Sequence, residues 1–229
     1  MHRPTAEYRF LEARRIVRKE TEKRRMDHMQ FFQAQASFYL AELAHLEFSE
    51  FHLKWPTEKD VLKQTAKLTA AGGTGDDANK ALGDLLGSQL EEKCQRLLRA
   101  QYQYLRAIRE GHAGWASASG YNVGHMYEEM HEEMVALPAP NDLTVEQKEL
   151  YVQMVRKKVL ILLEKAEKTY SQTADMVTRT GSDGEWGDKT RKSLENVRRR
   201  LLEESAAVAD VDSAPSVPLA DTGKGKGKT

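Results

Sequence analysis

The stretch GWASASGYNVGHMYEEM, residues 114–130, constrains the fold more than any other part of the chain. Read at helical spacing, it places Ala116, Gly120, Val123, Tyr127, Met130, Met134 and Leu137 on one continuous seam of +4 and +3 steps, with Gly124 beside it. Small residues at one end let a partner backbone approach closely, and large ones fill the space where two helices splay. Small-xxx-small spacing is also a membrane packing device. Here His125, Glu128 and Glu129 exclude the bilayer, so the seam predicts helix-on-helix packing in water.

The rest of the chain fits this expectation. Ala, Leu, Glu, Lys, Arg and Gln dominate, prolines number six, and hydrophobic and charged residues make up 40% and 31%. That balance favours a helical, surface-rich chain with one core over a disordered one. No apolar run approaches the ~20 residues of a membrane span. MHRPTAEYRFLEARR lacks the apolar segment of a secretory signal, which argues for the cytoplasm unless the chain belongs to a longer exported protein. The single Cys94 excludes an intrachain disulfide and reads as a small core residue.

Periodicity and capping divide the chain. One long helix is expected from about Thr5 to His52, its first 30 residues a basic arm and its second half a stripe of Phe31, Phe38, Ala41, His45 and Phe48. Trp55-Pro56 ends it, and Thr57 caps a short helix over about 58–71. Gly73, Gly75 and Ala78 match a G-x-G-x-x-A pattern, but no strand precedes them, so the stretch reads as a loop and not as a dinucleotide site. The domain proper, 31–205, then comprises two hairpins at about 79–136 and 145–205. Gly111 breaks the first hairpin, and Thr144 with Gln147 forms a capping box at the start of the second. VLILL, 159–163, is apolar all round and predicts cover on more than one side. Residues 206–229 read as a disordered tail.

The two hairpins look alike. Paired leucines precede Ala100 and Tyr104 in one and Ala166 and Tyr170 in the other, and each then crosses a glycine turn into a helix led by Trp115 or Trp186. Trp115-Ala116, Ala118, Tyr121, Gly124, Tyr127-Glu128, Pro138-x-Pro140, Leu143, Tyr151, Lys165-Ala166, Tyr170 and Trp186 resemble a C-terminal module of bacterial tetratricopeptide-repeat (TPR) proteins of the adventurous-gliding-motility and envelope type. The resemblance covers about residues 31–205. It implies an all-α, TPR-like array of stacked antiparallel hairpins that scaffolds protein assemblies in the envelope or in motility. This chain departs from that family's pattern in lacking both a preceding repeat array and a lipobox cysteine.

Chemistry has two candidates. Glu42/His45 and Glu128/His131 form Glu-x-x-His units of the kind that hold metals in carboxylate-bridged bundles, with Glu164 and Glu91 or Glu110 as further ligands. Against a metal-dependent bundle enzyme, Glu128, Glu129, Glu132 and Glu133 read as a solvated acidic ridge and His45 as a core-boundary residue. Lys189, Arg191, Lys192, Arg198, Arg199 and Arg200 suggest a nucleic-acid face, but no aromatics interleave them and Glu203 and Glu204 follow. The expectation is therefore a non-enzymatic scaffold without a cofactor or small-molecule substrate. Its partner is protein or a second copy, met through Glu128, Glu129, Glu132 and Glu133 and through Lys192, Arg198 and Arg199. Trp115, Ala116, Gly120, Gly124, Tyr127, Tyr151, Tyr170 and Trp186 form the structural seam.

Overall fold

A computed structural model describes residues 3–19, 26–72, 77–140 and 143–212. Among these residues every regular element is a helix: α1 Arg3–Lys19, α2 Met26–Ser49, α3 Glu58–Ala70, α4 Asp77–Arg109, α5 Ala113–Ala136, α6 Val145–Thr180 and α7 Glu185–Asp212. The capping boxes at Thr57 (with Asp60) and at Thr144 (with Gln147) both form, because each hydroxyl satisfies an orphan amide of the first turn. Gly111 and Gly181 close the two hairpin turns at φ of 83° and 61°, a left-handed conformation that glycine adopts without strain.

Side-chain contacts fix the directions of the helices. Tyr104 meets Asn122 and Gln101 meets Tyr127, so α4 and α5 are antiparallel. Tyr170 packs on Gly124 and Thr173 on Gly120, which makes α6 antiparallel to α5. Glu167 pairs with Arg198 and Val177 packs on Gly187, setting α7 antiparallel to α6. α4 lies between α2 and α5, and α6 between α5 and α7; α3 rests on α4. α5 also touches α2 and α7 directly, so four helices surround it. The core gathers there, with Phe38, Phe48, Tyr104, Met126, Met130, Leu163, Tyr170 and Val197 buried.

Four expectations are corrected. The single helix from Thr5 to His52 is two. Phe10 of α1 stacks on Tyr39 of α2 with centroids 5.3 Å apart, whereas one straight helix would separate them by about 43 Å. α1 therefore folds back along α2, burying Ala6 and an ion pair of Arg14 with Glu110 at 2.8 Å. Cys94 is exposed on α4, not a core residue. In 159–163, Val159 and Leu163 are buried but Ile161 is 50% exposed, so that run is covered on one broad side only. Finally, α7 runs to Asp212, past the expected boundary at 205; the remainder of the expected tail, 213–229, lies outside the described residues, as do Gly73 and Gly75.

Candidate functional site

The seam forms as its spacing predicts, and α6 is the helix that enters it. A β-carbon at Gly124 would lie 2.5 Å from the Tyr170 ring, and one at Gly120 would lie 2.3 Å from the Thr173 hydroxyl. Ala116 and Tyr127 are buried, while Trp115, Tyr121 and Trp186 pack on the core from its edge. Tyr127 donates to Gln101 at 3.2 Å, and Tyr151 lines a pocket at the far end of the seam.

Polar side chains concentrate on two flanks of α5. On the α2–α4 flank, the buried hydroxyl of Tyr104 donates to Glu42 and lies 3.0 Å from His45 Nδ1. Asn122 donates to Glu42 at 2.6 Å and to the Tyr104 oxygen at 3.0 Å. Glu129 accepts from Ser49 at 2.9 Å and sits 3.3 Å from His45 Nε2 and 3.2 Å from His125 Nε2. Burial pulls the Glu129 carboxyl upward, but its contacts with His45, Ser49 and His125 outweigh this and leave it below the ordinary glutamate range. One turn on, Glu133 pairs with the buried Lys93 at 2.7 Å and accepts the Leu53 amide at 2.6 Å. Lys93 also donates to the Phe48 and Phe51 carbonyls at 2.8 and 2.6 Å, so it caps the end of α2.

The α6–α7 flank follows the same logic. Tyr170, fully buried, donates to Glu128 at 3.0 Å, and Arg200 reaches Glu128 at 3.7 Å and Glu132 at 2.9 Å. Burial pushes the Glu128 carboxyl up despite Tyr170 and Arg200. Burial and the adjacent Glu42 or Glu128 push both tyrosine hydroxyls up as well, so neither is placed to lose a proton. His131, 1% exposed, takes a hydrogen bond from Arg200 on Nδ1 at 3.3 Å and gives one to Glu204 from Nε2 at 3.2 Å. Because guanidinium only donates, this arrangement fixes a neutral Nε2–H imidazole. Burial first, and Arg200 with it, hold its pKa below the ordinary histidine value.

This placement changes the reading of the predicted site. The acidic ridge is not a solvated face: of its four glutamates only Glu132 is exposed, while Glu128, Glu129 and Glu133 are turned into helix contacts. Lys192, Arg198 and Arg199 are exposed, with Arg198 on Glu167 at 2.8 Å and Arg199 on Asn196 at 3.5 Å. The two Glu-x-x-His units do not converge, since Glu42 and His45 face the α4–α5 network while Glu128 and His131 face α6 and α7. Among the described residues, no group of three or more His, Cys, Asp or Glu side chains is placed to hold a metal ion.

The fold and the network define an all-α protein built on one enclosed helix. No described helix is long and apolar enough to cross a membrane. Comparison with protein-family profiles, with curated proteins and with solved structures finds no match for this chain.

Proposed function

We propose that the chain is a non-enzymatic helical-repeat scaffold that mediates protein–protein contact, of the kind used in bacterial envelope or motility assemblies. The observation that carries this reading is a division of labour among side chains. The groups with chemical potential (Glu42, His45, Tyr104, Glu128, Glu129, His131, Tyr170) are spent in tying helices together. Large apolar side chains stay uncovered on the outer faces instead, among them Leu98, Tyr102, Met154 and Ile161, each at least half exposed. The resemblance to TPR modules and the matching hairpins, with their buried tyrosines and left-handed glycines, support the same conclusion.

Of the contact surfaces expected from charge, the basic face at Lys192, Arg198 and Arg199 and the exposed Glu132 remain accessible. Exposed charge is screened over about 8 Å near physiological ionic strength. Association through these charges is therefore expected to weaken when salt is raised to ~0.5 M. Light scattering of the purified chain, and of the chain returned to its native lysate, at low and high salt tests this. A strictly monomeric chain that retains no partner at low salt removes the proposal's main support.

A further inference from the structure

α1 is the least committed element of the fold. Among the described residues it packs along α2 and along no other helix. Of its described side chains only Ala6 and Arg14 are buried, while Tyr8, Leu11 and Ile16 are exposed. A cleft of about 480 Å³ runs beside the contact, between Phe10, Ala13 and Ile16 of α1 and Phe32, Gln35 and Tyr39 of α2. A few pairs hold α1 in place. Phe10 stacks on Tyr39, and Arg14 meets Glu110 at 2.8 Å, where Ser37 of α2 donates to the same carboxylate at 3.1 Å. A contact this small opens more readily than the enclosed seam of α5 and α6.

The connection that returns α1 onto α2 has no turn chemistry in its sequence. Every other connection between helices carries a glycine or a proline, among them Pro56, Gly72, Gly111, Pro138 and Gly181. Residues 20–25 read ETEKRR, all but Thr21 strong helix formers, with Glu20 and Arg24 in the favourable i, i+4 order. That sequence supports one helix running from α1 into α2, and the extension needs no nucleus because a helix already stands at each end. A chain extended in this way cannot place Phe10 on its own Tyr39. A second copy can supply the partner. Phe10 with Tyr39, and Arg14 with Ser37, are both centred near residue 25. Two extended helices laid antiparallel about a two-fold axis at that point bring Phe10 of each copy to Tyr39 of the other. Arg14 of each then meets Glu110 of the other, so the contacts of the closed chain are made twice across the pair.

We propose that the face of α2 covered by α1 is also the docking site for α1 of a second copy of this chain, so that the protein assembles as a domain-exchanged dimer with one continuous helix per copy. The closed and exchanged forms share their contacts, so the residues joining α1 to α2 and the protein concentration set the balance between them. The exchange goes beyond the scaffold reading, since it uses the α1–α2 contact and not exposed charge.

A charge exchange between two full-length chains tests this. Arg14→Glu alone and Glu110→Arg alone each set like charges where the buried ion pair stands. In a 1:1 mixture an exchanged dimer restores opposite charges at both sites, whereas two closed chains restore neither. Co-expression of the two variants under different tags, read by native mass spectrometry and light scattering, is expected to give a 1:1 dimer. Its Tm is expected to exceed that of either variant alone. A second measurement leaves the ion pair untouched. Wild-type chains carrying two different tags, unfolded together in urea and refolded at high concentration, are expected to yield mixed dimers. Glu22→Gly with Lys23→Gly is expected to weaken that dimer by roughly tenfold or more, because glycine disfavours the continuous helix. Monomers alone in the co-expressed mixture, or a wild-type dimer that the glycines leave unchanged, overturn the exchange. A dimer formed equally well by each charge variant alone also overturns it and points to association through exposed charge. Salt-sensitive capture of another protein is untouched by these outcomes, so the exchange and the scaffold reading fail separately.

Discussion

Gly124→Ala should destabilise this protein although it replaces a helical glycine with the best helix former. The added β-carbon would sit 2.5, 2.7 and 2.8 Å from three ring atoms of Tyr170. That ring cannot swing aside, because it is fully buried and its hydroxyl is held by Glu128 at 3.0 Å. Relief requires α5 and α6 to separate, an overpacking penalty of about 1–3 kcal/mol. Helix propensity offsets about 1 kcal/mol of this. The contact is with a rigid aromatic ring, so we place the penalty at the upper end and expect a net loss of about 2 kcal/mol. For a chain of this length that corresponds to a fall of roughly 4–8 °C in Tm. Gly83→Ala is the matched control: its β-carbon meets nothing within 4 Å, and it should gain up to about 1 kcal/mol. Urea titrations of both variants, with Tyr170→Leu added to Gly124→Ala as a cycle, measure the difference. The seam argument fails if Gly124→Ala is as stable as Gly83→Ala, or if the Tyr170 substitution gives no coupling with it.

Three further outcomes follow, two from the polar network and one from the exposed thiol. His131 should titrate by NMR with a midpoint below 6.5, and Arg200→Met should raise it, because burial and Arg200 depress the pKa while Glu204 opposes them. A folded pKa below the unfolded one gives stability that is complete above about pH 6.5 and is lost as pH falls through the folded value, so His131→Gln should flatten Tm over that window. Lys93→Met should cost about 3–5 kcal/mol in urea unfolding, since it strands Glu133 and the Phe48 and Phe51 carbonyls; a loss below 1 kcal/mol would show that water replaces the ammonium. Cys94 should react stoichiometrically with a disulfide reagent in the native state, but more slowly than a free thiol, because partial burial pushes its pKa up.

The parts legible in the sequence are those decided within one helix. Thr57 and Thr144 announce their capping boxes, and Gly111 and Gly181 their turns, because caps depend on neighbours within a few residues. The Gly120–Gly124 seam was legible for the same reason. The acidic run was misread because a spacing pattern shows how one helix face differs from another, not how many helices surround it. Outside α5 itself, the partners of Glu128, Glu129 and Glu133 stand 40 to 84 residues away in the chain. One signal was present and unused: Lys93 lies on the apolar stripe of Leu97, Ala100 and Tyr104, a position where a lysine needs a buried acceptor. Asn122 stands likewise among Ala118, Val123 and Met126, and its amide serves Tyr104. The fold-back of α1 had no sequence signal in the residues that make it, since Phe10 and Tyr39 fit one amphipathic helix as well as two.

The charge asymmetry along the chain resolves at α5. In each hairpin a buried tyrosine donates a hydrogen bond to a glutamate on an earlier helix and accepts one from the following helix. Glu42 and Asn122 serve Tyr104, and Glu128 and Ser193 serve Tyr170. α5 therefore faces both ways, supplying the amide to one lock and the carboxylate to the next. Such a helix accumulates acids on two flanks, and each flank must supply countercharge or hydrogen-bond donors. His45, Ser49 and Lys93 do so from α2 and α4, and Arg200 does so from α7, seventy-two positions on from Glu128. Opposite charge blocks that look like separate docking surfaces in one dimension are, for these glutamates, one closed set of contacts in three. What stays exposed is charge that α5 does not consume, such as Lys192 and Arg199 on the basic edge of α7.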